Sequence, residues 1–106
     1  MTKHIHCIPC RKGDQGLAPE AIRNALDQLS GWELTEDGTA IRKSWKFKNF
    51  KDALAFVNRA GAVAEAQNHH PDIAFGWGYA HLTFTTHAIG GLHENDVIMA
   101  RLVDAI

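Results

Sequence analysis

His69 and His70 are neighbours, Pro71 follows at once, and His87 lies 16 residues beyond that proline. An unperturbed imidazole titrates closest to neutral pH of all side chains, so it can both give and take a proton there. Proline fixes its own φ and keeps His70 out of the α region, so the chain must turn at this corner. A hairpin returns the chain to where it began, and 16 residues is one hairpin's length. His87 is therefore expected beside His69 and His70, which makes the trio a candidate proton-transfer site. His81 shares a strand face with His87 but lies about 20 Å along the strand, and reads as structural or solvated.

Two carboxylates can serve these rings. Glu65 precedes His69 by four residues and would share its helix face, where it can orient the imidazole or form an ordinary surface pair. Asp96 falls in the first turn of a last helix, a position that favours a carboxylate with or without chemistry. Glu65, His69, His70, His87 and Asp96 are also acceptable ligands for zinc or iron. Adjacent histidines seldom converge on one ion, however, and no His-x-x-x-His pair anchors a centre, so no metal is expected. Cys7 and Cys10 form a lone Cys-x-x-Cys with His4 and His6 beside it. That spacing is compatible with a redox pair or a zinc-binding tail. Pro9 inside the pair and the lack of a second Cys-x-x-Cys argue for neither.

The elements that must position these groups follow from periodicity. Residues 1–16 are polar and without period, an N-terminal arm, and residues 17–106 form one domain. Pro19 suits a first helical position, Ile22, Leu26 and Leu29 recur at helical spacing, and Gly31 suits the stop, predicting a helix over 19–30. Trp32 and Leu34 alternate as a short strand. Asp37-Gly38 is a hairpin signal, and the return strand runs over 39–47 with Ile41, Trp45 and Phe47 on one face and Lys43 as the exception. Asn49 caps a second helix that ends near Asn68. Phe50, Leu54, Val57, Gly61 and Ala64 mark its apolar stripe, widened by Phe56, Ala60 and Val63. So wide a surface suggests that a second face packs on another subunit. Ile73, Phe75 and Trp77 alternate as a third strand, and Ala80, Leu82, Phe84 and Thr86 alternate with polar residues as a fourth. Gly90-Gly91 turns into a helix over 93–105. The order αββαββα predicts an α+β fold, a four-stranded antiparallel sheet with three helices packed on one face.

Composition narrows the function classes. With 11 basic and 12 acidic residues the net charge is −1, which disfavours a nucleic-acid face. No apolar run has the length of a membrane span, and the first residues lack a secretion signal's apolar core, so a cytoplasmic location is expected.

Taken together the motifs resemble the pterin-4a-carbinolamine dehydratases. The resemblance rests on Glu65-Ala66-Gln67-Asn68-His69-His70-Pro71, on His81-Leu82-Thr83-Phe84-Thr85-Thr86-His87, and on Gly91-Leu92 with Asp96. Trp32 and the run Trp45-Lys46-Phe47-Lys48-Asn49-Phe50 match in place and spacing. The resemblance spans about residues 17–106 and implies dehydration of 4a-hydroxytetrahydrobiopterin to quinonoid dihydrobiopterin, in tetrahydrobiopterin recycling, with no cofactor. It implies His69 and His87 as acid–base groups, His70 as a relay, and Glu65 and Asp96 as groups that orient the imidazoles and tune their charge. Pro71, Trp32 and Trp77 would shape the pocket, and the backbone of Thr86, Ala88 and Ile89 would meet the pterin's amide edge. A homodimer or homotetramer is implied as well, with a non-catalytic role as transcription-factor dimerisation partner or assembly chaperone as the alternative. Two features depart from the pattern. The first 16 residues have no place in the catalytic motif. His93 stands where a hydroxyl cap is expected, which would loosen the last helix and the aim of Asp96.

Overall fold

Pro19, pre-set for a helical φ, opens α1 (Pro19–Gln28), which stops two residues earlier than the periodicity predicts because Leu29 is already extended. The computed structural model describes residues 6–106, and His4 of the cysteine-flanking pair lies outside them. Strands β1 (Glu33–Leu34) and β2 (Ile41–Lys46) form the first hairpin. Asp37 holds its turn by accepting from the hydroxyls of Thr35 and Thr39, both at 2.8 Å, and Gly38 supplies the positive φ of 75°. These same hydroxyls pull the Asp37 carboxyl below its usual range.

Helix α2 (Phe50–Gln67) begins at Asn49, whose side chain accepts from Asp52 N at 2.7 Å. Its core-facing stripe is Ala53, Phe56, Ala60 and Ala64. Of the expected stripe, Phe56, Ala60 and Ala64 are buried and Val57 and Val63 pack against the core, whereas Phe50 and Leu54 at its start remain exposed. Ala53, Ala60 and Ala64 let the helix approach the sheet, and the Phe56 ring packs on Trp45 and Phe47. Strands β3 (Asp72–Gly76) and β4 (Tyr79–Phe84) form the second hairpin, with Asp72 opposite Thr83 and Gly76 opposite Tyr79. Trp77 therefore lies in the two-residue turn, not in the strand.

The sheet is antiparallel in the order β1-β2-β4-β3, and the three helices pack on one face. On β4 the alternation is strict, with Ala80, Leu82 and Phe84 buried. Each large apolar side chain so buried is worth about 1.5–3 kcal/mol of transfer free energy. Lys43, the exception on the inner face of β2, is matched by Asp104 at 2.8 Å, which also accepts from the indole of Trp32 at 3.0 Å. After β4 the chain makes a bridge between Thr86 and Gly91 around a short 3₁₀ helix, His87–Ile89. Thr86 and His87 thus lie past the end of the strand expected to carry them.

Helix α3 (Glu94–Asp104) corrects the expectation for His93. The imidazole itself is the cap: His93 Nδ1 accepts from Asn95 N at 3.0 Å, and Asp96 Oδ2 accepts from His93 N at 3.0 Å. A ring nitrogen does the work of a hydroxyl, and the reciprocal pair fixes the first turn. Among the described residues no helix is long and apolar enough to cross a membrane.

Candidate active site

The end of α2 sets the first two imidazoles. Asn68 is in the left-handed region (φ 52°), and its successor's N–H reaches back to Ala64 O at 3.2 Å, a helix-closing bond that turns the chain sharply. This turn breaks the spacing expected to pair Glu65 with His69. Glu65 instead lies 2.7 Å from His70 Nε2, an exposed pair with side chains 79% and 55% accessible. It steers the ring more than it stabilises the fold.

His69 is swung toward α3. Its Nε2 is 2.6 Å from Asp96 Oδ1. Asp96 is 0% exposed and takes two further donors on Oδ2, the Thr86 hydroxyl at 2.8 Å and the His93 N–H. One carboxylate thereby ties together the end of α2, the end of β4 and the start of α3. An ionised carboxylate only accepts, so we assign the proton of this pair to His69 Nε2. Nδ1 is then the His69 ring nitrogen without a partner among the described residues. Phe84 stacks on the His69 ring at 6.3 Å and 11°.

His69, His70 and His87 line one cleft of about 490 Å³. That volume lies within the range of small-molecule sites, about 300–1,000 Å³. Thr85, Thr86 and Ala88 line it from the end of β4 and the 3₁₀ helix, and Gln67, Asn68 and Asn95 from α2 and α3. The exposed His87 ring has no hydrogen-bond partner among the described residues. His81 is 2.6 Å from Ser44 Oγ on the sheet, as its strand position predicts, and takes no part in the cleft.

Other expected site residues lie elsewhere. Trp32 is buried, packed on Trp45 and on Phe84, and does not line the cleft. Trp77 is 71% exposed at the hairpin tip, about 20 Å of strand away from Pro71. Pro71 precedes β3, between His70 and Asp72, and does not line the cleft. Ile89 also stands outside it, turned toward Gly16. A Cβ on Gly16 would come within 3.2 Å of the Ile89 side chain and 2.9 Å of Leu92 O, so only glycine passes there. The N–H groups of Thr86 and Ile89 are taken by Gly91 O and Thr86 O, whereas those of His87 and Ala88 have no partner among the described residues.

The arm is the part of the site that the sequence concealed. Cys7, Ile8, Pro9 and Cys10 all line the cleft. Gln67 Oε1 accepts from Cys7 N at 2.8 Å, and Asn95 exchanges two bonds with the Ile8 backbone, at 2.9 and 2.6 Å. Both cysteines are free. Burial, reinforced by the charge of Asp96, pushes the Cys7 thiol up to about 11, and burial with Asp14 and Asp96 raises Cys10. Such thiols are neutral and poor nucleophiles at physiological pH. Among the described residues no three His, Cys, Asp or Glu side chains are grouped as ligands of one ion.

Comparison with known proteins bears on this geometry. The family model described as pterin 4 alpha carbinolamine dehydratase matches residues 15–106. A protein of Rubrobacter xylanophilus is 48% identical over 100 residues, covering 94% of this chain and 92% of its own. One of Paracoccus denitrificans is 50% identical over 93 residues, covering 88% and 87%. Each bears the name "Putative pterin-4-alpha-carbinolamine dehydratase". Among solved structures, a transcriptional coactivator/pterin dehydratase from Brucella melitensis superposes with a TM-score of 0.81 at 34% identity, covering 86% of this chain and 97% of that one.

Proposed function

Because the chain belongs to the pterin 4 alpha carbinolamine dehydratase family, we propose that it dehydrates 4a-hydroxytetrahydrobiopterin to quinonoid dihydrobiopterin. The observation that carries this reading is the convergence of His69, His70 and His87 on one cleft of suitable size. Hydroxide is a poor leaving group, so the hydroxyl on C4a must be protonated as its bond breaks. The neighbouring N5–H must lose its proton as the new C=N bond forms. One proton is given, one is taken, and water departs. Imidazoles do both near neutrality without a metal or organic cofactor.

His69 and His87 flank the C4a hydroxyl as the acid–base pair, and His70 orients the ring and relays the N5 proton. Asp96 holds the His69 ring, much as a buried carboxylate orients a catalytic histidine elsewhere, and Glu65 steers His70. His87 and Ala88 present N–H groups to the pterin's amide edge. The exposed Phe50 and Leu54 on α2 support a homodimer or homotetramer. Two free cysteines agree with the cytoplasm, a reducing compartment. A second reading, a dimerisation or coactivator role on the same fold, draws on the name of the Brucella structure.

The direct experiment generates the carbinolamine in situ and follows its loss by absorbance. The protein is expected to accelerate dehydration by at least about 10²-fold over buffer. A rate equal to that of buffer contradicts the reading.

A further inference from the structure

Asn95 is 1% exposed and spends both ends of its amide on the main chain of one arm residue, Ile8. Undocking the arm would strand a buried donor and acceptor, each costly to leave unpaired. The neighbouring Asp96 holds His69, and Gln67, which takes the Cys7 N–H, lies two residues before that histidine. The arm and the catalytic imidazole are thus set by the same two turns. What the arm offers the cleft is uncharged: the exposed Ile8 side chain, the Pro9 ring and two thiols held in their neutral form.

We propose that Cys7–Cys10 is a substrate-contacting wall of the cleft, and that Ile8 and Pro9 set which substituent at C6 of the pterin is accepted. The inference rests on the dehydratase reading. A pterin's pyrimidine edge is dense in N–H and C=O groups and needs polar partners, which the arm side chains lack. The C6 substituent sits beside N5, on the other side of the ring system, and can use an apolar wall. Ile8 is a specificity-determining residue, with no part in proton transfer.

Two measurements test this. Steady-state kinetics of Ile8→Ala are compared with wild type on carbinolamines bearing a three-carbon or a methyl group at C6. KM for the larger substrate is expected to rise about 10-fold, with KM for the smaller one and both kcat values nearly unchanged. Ile8 is exposed, so the variant is expected to fold. Cys7 and Cys10 are the chain's only cysteines, and so report on the wall themselves. Saturating 7,8-dihydrobiopterin should slow their alkylation at pH 9 about 10-fold or more, read by intact mass. Bound pterin with unprotected thiols, and KM unchanged for both substrates, overturns the arm's role while leaving the dehydratase intact. A wild-type protein that neither binds nor turns over pterin brings down the functional reading, and this inference with it.

Discussion

His69→Ala and His87→Ala are each expected to lower kcat for dehydration by about 10²–10⁴-fold. That corresponds to about 2.7–5.4 kcal/mol of transition-state stabilisation. If the rings act only as the C–O bond breaks, kcat and kcat/KM fall together and KM stays put. The two variants differ in stability. His87 is exposed and unpartnered among the described residues, so its removal should shift unfolding by no more than about 0.5 kcal/mol. His69 is bonded to Asp96, and its loss leaves that buried carboxylate short of a donor. His87→Ala is thus the cleaner probe. A kcat near wild type in both variants would remove the acid–base assignment.

Asp96→Ala should show the largest loss of stability, about 3–5 kcal/mol in chemical denaturation. The whole fold is worth roughly 5–15 kcal/mol. The Thr86 hydroxyl and the His93 N–H would be left as buried donors without an acceptor, and His69 would lose its anchor. Three elements meet at this one side chain, so the loss spreads beyond the site. Asp96→Asn keeps the volume and one oxygen but points an amide N–H at groups that themselves donate, so a smaller loss is expected. An Asp96→Ala protein within about 1 kcal/mol of wild type would mean that the carboxylate does not join these elements.

Much of this site was legible because its signals are local. A histidine pair before a proline, a hairpin's length and a third histidine follow from chain geometry, and the cleft does contain all three. Asp96 was visible as a first-turn acid, although its hold on Thr86 was not. The Glu65–His69 pairing failed on one residue, since nothing in the spacing reveals that Asn68 turns left-handed and hands Glu65 to His70. The pocket roles of Trp32 and Trp77 come from the resemblance alone, and in this chain Trp32 packs in the core and Trp77 sits at the hairpin tip, so neither lines the cleft. The arm was illegible because polar coil docks through side-chain amides such as those of Asn95 and Gln67, which carry no periodic pattern. Its Cys-x-x-Cys drew attention to metal and redox chemistry instead.

The central claim is that a flat bicyclic substrate sits with its reacting carbon between imidazoles from the α2–β3 corner and the end of β4. A crystal structure with a dihydropterin bound tests it most directly. The account predicts the ring system in the cleft lined by His69, His70 and His87, with nitrogens of His69 and His87 within about 2.6–3.2 Å of the C4a substituent position, directly or through one water. A pterin bound elsewhere on the molecule, or in this cleft with His87 turned away from C4a, would contradict it.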